Sequence, residues 1–181
     1  MVANIALTRD VVDHQVARAH PILQGSMPTA GRISIEMENF FIPFQPEAQM
    51  LTMWNGTLHL SGARLTAGGP LAEIVEVLKL PNKEVAVVTP SVAVSCKADR
   101  MFVQPLELFV GDVRVRAYGE VLFSGVMDYR VELPVTEGLV GEANYARLKG
   151  RVIRVPLIGF ARKPYLDKRV LNAEVRKILD L

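Results

Sequence analysis

Met101-Phe102-Val103-Gln104-Pro105-Leu106-Glu107-Leu108-Phe109-Val110-Gly111-Asp112-Val113-Arg114-Val115-Arg116-Ala117-Tyr118 is two alternating runs on either side of a glycine. A period of two sends successive side chains to opposite faces of a strand. Gly111-Asp112 supplies a two-residue turn that needs positive φ at its first central position, which glycine adopts without strain. That turn pairs Val110 with Val113, Leu108 with Val115 and Leu106 with Ala117 on one face. On the other face Glu107 meets Arg116, a cross-strand ion pair. Pro105 has no N–H to donate, so it demands an edge or a bulge.

The same pattern extends in both directions. Downstream, a three-residue turn at Ser124-Gly125-Val126 leads into Met127-Asp128-Tyr129-Arg130-Val131-Glu132-Leu133. It sets Tyr129 opposite Val121 and Val131 opposite Gly119. A further strand runs from Arg151 to Ile158. Upstream, Val92, Val94 and Cys96 alternate with Ala93, Ser95 and Lys97, and Asp99-Arg100 marks a turn. Ile33, Ile35 and Met37 alternate with Ser34, Glu36 and Glu38. Asn55-Gly56 predicts a type I′ hairpin that pairs Met53 with Leu58 and Leu51 with Leu60.

Helices are few. Thr8 caps one over about residues 9–19, ended by Pro21. Residues 24–31 read as a linker or long loop. Pro70 opens a helix over 70–79, with Leu71, Ile74, Val75 and Leu78 at helical spacing. Residues 137–147 form a short helix. Pro164 opens a terminal one near 166–180, with Leu171, Val175, Ile178 and Leu179 as its apolar stripe. The expected fold is mainly β, an antiparallel meander sheet curled into a groove or half-barrel with a few short covering helices. Residues 1–30 are an N-terminal helix and linker, and 31–181 the β domain.

Composition bounds the function. The 181 residues are 50% apolar and 22% charged, with 21 Lys+Arg against 19 Asp+Glu, a net charge of +2. Mean hydropathy is +0.22. Disorder needs low hydrophobicity and high net charge, and nucleic-acid binding a basic stripe; neither fits. The single cysteine, Cys96, permits no internal disulfide and no multi-cysteine metal site. No apolar run reaches about 18 residues, so no transmembrane segment is expected. The abrupt start reads as a soluble fragment cut from something longer.

Motifs of catalysis are missing. The sequence contains no GxSxG, P-loop, GxGxxG, HExxH or CxxC. His14, His20 and His59 read as surface or cap histidines, and Cys96 as a buried, inert thiol. Met50, Met53, Met101 and Met127 on strands suit core filling or an adaptable apolar surface alike. Neither a cofactor nor a metal is expected.

Several segments together resemble the C-terminal region of AsmA-like, TamB-type proteins, over about residues 85–170. They are Asp99 to Asp112, Val113 to Val121, Met127 to Val135, and Val155-Pro156-Leu157-Ile158-Gly159-Phe160-Ala161-Arg162-Lys163-Pro164. In the last element Leu157 and Phe160 replace the family's usual residues. The resemblance implies a sheet curled into a groove with an apolar inner face. It also implies a longer chain anchored in the bacterial inner membrane, facing the periplasm, and a role in envelope assembly and phospholipid movement. No catalytic residues come with it.

Two readings follow. In the first, the chain is a non-enzymatic lipid-handling or envelope-assembly module. Leu106, Leu108, Val115, Ala117, Met127, Tyr129 and Val131 then share one concave face that contacts a phospholipid or other acyl chain. In the second, it is a structural or protein-interaction β domain, and the same face is a closed core under the helices. An enzyme built on Asp128, Arg130 and Glu132 ranks below both, because those residues alternate with core positions as a solvent face does.

Overall fold

The computed structural model describes residues 2–41, 43 and 52–179. Strand accounts for 51% and helix for 28%, so the chain is mainly β. The strands are β1 (Val2–Ala6), β2 (Met27–Phe41), β3 (Met53–Thr66), β4 (Glu84–Val87), β5 (Ser91–Lys97), β6 (Arg100–Val110), β7 (Val113–Leu122), β8 (Met127–Pro134), β9 (Val152–Phe160) and β10 (Lys163–Leu166). They form one antiparallel sheet in the order β1-β2-β3-β4-β6-β7-β8-β9-β10. β5 also lies between β3 and β6, pairing the first half of each, while β4 pairs their far ends.

The β6–β7 hairpin has the expected register: Val110 faces Val113, Leu108 faces Val115 and Leu106 faces Ala117. Gly111 has φ 58°. Pro105 falls in an irregularity between Val103 and Leu106. Glu107 does lie opposite Arg116, but its ion-pair partner is Arg114, and Arg116 turns instead to Glu132 at 3.8 Å. Both carboxylates lie on the solvent face, where a long guanidinium side chain reaches diagonally as easily as straight across.

Further expectations are corrected. Asn55-Gly56 is not a turn. β3 runs through it, Asn55 pairing Glu38 and Ser95, and Gly56 pairing Met37 and Val94. Two long neighbouring strands satisfy the backbone here, and those ladder bonds outweigh the dipeptide's local preference. Gly56 serves close approach instead, since a Cβ there would sit 2.6 Å from the Glu36 carbonyl oxygen. Leu51, the predicted partner of Leu60, lies outside the described residues. The β7–β8 register is shifted by two: Val121 faces Met127, Gly119 faces Tyr129 and Ala117 faces Val131. The connection spans residues 123–126, with Leu122 N donating to the Val126 carbonyl at 2.8 Å. Pro164 lies in β10, and the last helix is capped by Asp167, whose Oδ1 accepts from Arg169 N at 3.0 Å.

Residues 2–30 are built into the fold. β1 pairs antiparallel with β2, and the linker expected at 24–31 is largely the start of β2. Thr8 Oγ1 accepts from Val11 N at 3.4 Å. It caps a helical run of α1 (Arg9–Val11), a π-helical stretch Val12–Val16 and α2 (Ala17–Ala19). Pro21–Leu23 adds a 3-10 turn. α3 (Gly69–Val77) lies beside that turn and against β10, where Glu73 Oε2 accepts from Leu166 N at 3.0 Å. α4 (Glu137–Val140), α5 (Glu142–Leu148) and α6 (Lys168–Leu179) complete the chain.

The core lies between these helices and one face of the sheet. Val12, Val16, Ile22, Leu23, Leu71 and Ile74 from the cover are buried with Leu106, Leu108, Val115, Ala117, Tyr129, Val131 and Val155 from the sheet. Each large apolar side chain buried here contributes about 1.5–3 kcal/mol.

Candidate functional site: an apolar groove at one end of the sheet

The helical cover does not extend over the whole inner face. Past Ala19 the face continues through Ile35, Trp54, Leu58, Val94, Met101 and Val121, which line a groove of about 460 Å³. That volume lies in the roughly 300–1,000 Å³ range of small-molecule sites. Register explains the lining. Ile35 faces Leu58 across β2 and β3, Gly56 faces Val94, Trp54 faces Cys96, Cys96 faces Met101, and Met101 faces Val121. These positions share one parity, so a single inward face continues from strand to strand.

The groove has a polar mouth. Gln15 and Arg18 border it from the helical run, and Arg162 borders it from the β9–β10 turn. Arg18 and Arg162 are exposed, and neither forms an ion pair or hydrogen bond with any described residue. A guanidinium without a carboxylate partner beside an apolar cleft suits an amphiphile with an anionic end.

The seven residues expected to contact an acyl chain do share the inner face. However, Leu106, Leu108, Val115, Ala117, Tyr129 and Val131 are each 0% exposed beneath the helical cover. They form a filled core, not a surface that an acyl chain reaches. Met127 is half-buried and pairs with Val121, which lines the groove.

Two polar groups inside the molecule are structural. His20 is not a surface histidine: it is wholly buried, with Nδ1 2.6 Å from the Tyr129 hydroxyl. Burial lowers its pKa to about 3 and raises that of Tyr129. Cys96 is buried, its Sγ 3.9 Å from the Ala98 carbonyl oxygen, and burial pushes its thiol up, away from the reactive thiolate. His14 is exposed at the surface, and His59 lies against Ser91 Oγ at 2.9 Å. On the outer face Glu132 gathers Arg154 at 3.0 Å, Arg116 at 3.8 Å and the Tyr118 hydroxyl at 3.2 Å. Asp128 pairs with Arg130 at 3.7 Å. This is a stitched solvent face of the sheet.

The turn signal of Asn55-Gly56 hides Trp54 and its neighbours from the sequence. Read as one continuous strand, Trp54, Gly56, Leu58 and Leu60 fall on a single face. Comparison of the chain with family models, curated proteins and solved structures finds no match.

Proposed function

We propose that the chain is a non-enzymatic lipid-handling module that holds an acyl chain in the groove lined by Trp54, Leu58, Val94 and Met101. The observation that carries this reading is the groove itself: apolar walls on an open sheet face, lined also by Glu36 and by Arg18 and Arg162, which have no ion-pair partner among the described residues. Small-molecule sites combine a mostly apolar lining with a few placed polar groups, and this cleft has that composition. The AsmA-like resemblance supports the same reading, as a segment of a longer membrane-anchored envelope protein working in the periplasm. No helix of the described residues is long and apolar enough to cross a membrane, so on this reading the anchor lies elsewhere in that longer protein.

The filled core under the helices favours a second reading, a structural or interaction domain with no ligand. Native mass spectrometry of protein purified from bacterial extract separates the two. The lipid-handling reading expects an added mass of a fatty acid or phospholipid, lost on organic extraction. Bare protein that also fails to take up added lipid leaves the structural reading.

A further inference from the structure

Three hairpin tips meet at the end of the sheet where the groove opens. Ala98 N donates to the Thr52 carbonyl, Phe123 N to that of Asp99, and Ala161 N to that of Gly125, each at 2.8 Å. These bonds hold the β5–β6, β7–β8 and β9–β10 turns in one row. Phe123 is 56% exposed, Val126 48% and Phe160 60%. The row continues to the end of β2 and the start of β3, where Phe41 and Met53 face each other and are also exposed. Single exposed apolar residues need no explanation, but a row at one end of a molecule marks a surface that something covers.

The charges at this end point to what covers it. Lys97, Arg162 and Lys163 are exposed among these side chains and have no ion-pair partner among the described residues. On the outer face of β6–β9, by contrast, Arg114, Arg116, Arg130 and Arg154 are all paired with carboxylates. Arg100, at the same end, is engaged by Glu120 at 2.7 Å. Among the described residues Asp99 and Glu38 are the unpaired carboxylates here, two against the three unpaired cations. Aromatic side chains settle at the boundary of headgroups and acyl chains, and unpaired lysines and arginines are drawn to anionic headgroups. An apolar protein partner would be served by the phenylalanines but would leave the excess positive charge of the end unmatched.

We infer that this row of tips docks end-on against an anionic lipid bilayer, with Phe123 and Phe160 entering the interface and Lys97, Arg162 and Lys163 meeting headgroups. Docking would set the mouth of the groove on the leaflet, since Phe123 and Arg162 also line the groove. In purpose it rests on the lipid-handling reading, but it is measured separately.

The test is co-sedimentation with vesicles of phosphatidylcholine alone or mixed with phosphatidylglycerol. Wild type is expected to bind the mixed vesicles, more weakly as salt is raised. The double variant Phe123→Ser/Phe160→Ser is expected to lose about tenfold or more in affinity, because both interfacial aromatic anchors go. Arg162→Glu/Lys163→Glu should lose binding to the mixed vesicles in particular. All four positions are exposed, so unchanged thermal midpoints will show that the variants fold. Wild type that binds neither vesicle, or variants that bind like wild type, overturn the inference. So does a dimer that Phe123→Ser/Phe160→Ser dissolves in the absence of vesicle binding. Acyl loading is measured without any bilayer, by quenching of Trp54 with a brominated fatty acid. Loading without vesicle binding rejects docking and keeps the lipid-handling reading; vesicle binding without loading does the reverse.

Discussion

His20 Nδ1 lies 2.6 Å from the Tyr129 hydroxyl, and the two rings meet edge to face with centroids 6.2 Å apart. One residue ends the helical run that begins at Thr8, and the other sits in the middle of β8. The cover and the sheet are thus keyed together by a polar contact inside a mostly apolar core. A buried hydrogen bond of this kind fixes a single arrangement of the layers, because any slip would leave both groups unpaired.

This contact makes stability depend on pH. Folded His20 titrates at about 3 against an ordinary value of 6.5, so the unfolded chain binds a proton that the folded chain does not. Its contribution is fully present above the ordinary histidine value and is lost as pH falls toward 3. The slope approaches about 1.4 kcal/mol per pH unit in that window. Urea unfolding across the window is expected to show a shallower acid slope in His20→Phe/Tyr129→Phe than in wild type. Equal slopes would place the histidine in water.

Gly119 faces Tyr129 across β7 and β8 and leaves room for its ring. A Cβ at this position would lie 2.2 Å from the Asp128 carbonyl oxygen and 2.6 Å from Tyr129 Cα. Backbone cannot yield as a flexible side chain does. Gly119→Ala is expected to cost about 2 kcal/mol or more, read from the shift in denaturant midpoint. An unchanged midpoint would contradict the β7–β8 register.

Leu108→Asp should unfold the domain. Leu108 is 0% exposed, and an unpaired carboxylate there costs several kcal/mol. Loss of the cooperative thermal transition is the expected result. A folded variant that loses only ligand would restore Leu108 to a lipid-contacting surface.

Gly111→Val is expected to cost about 1 kcal/mol or more, because valine is strained at a φ of 58°, and a Cβ there would meet only the Asn82 side chain, at 3.4 Å. Thermal unfolding checks this, and no change in midpoint would put the turn elsewhere.

The register of the β6–β7 hairpin is legible to the residue because pattern and turn chemistry agree there, whereas its ion pairs, set by long side chains reaching diagonally, are not. Alternation on both sides of Gly111 allows one register, and the turn dipeptide selects the same one. Asn55-Gly56 offers an equally good local signal, yet it is threaded into β3. There the pairing partners are β2 and β5, distant in sequence, and no local rule names them. The β7–β8 register slipped by two because Phe123 belongs to the connection, and the inward face survived since two is the strand period. The place of residues 9–23 over the core was hidden for the same reason. The helix was readable from Thr8 and Val12, but what it covers depends on where the sheet lies. The candidate lipid-contacting residues were rightly grouped on one face, and the cover seals six of them in. The open part of that face, at Trp54 and Val94, lay behind the misread turn.

Trp54 is the sole tryptophan and lines the groove, so its fluorescence reports on what the groove holds. The most direct measurement is titration with a fatty acid brominated along its chain, in the absence of any bilayer. The account predicts saturable quenching of Trp54 in wild type, and its loss in Ile35→Glu, which sets a carboxylate among the half-buried lining without entering the closed core. Wild-type emission that stays unquenched, or Ile35→Glu quenched as fully as wild type, would contradict an acyl chain in the groove.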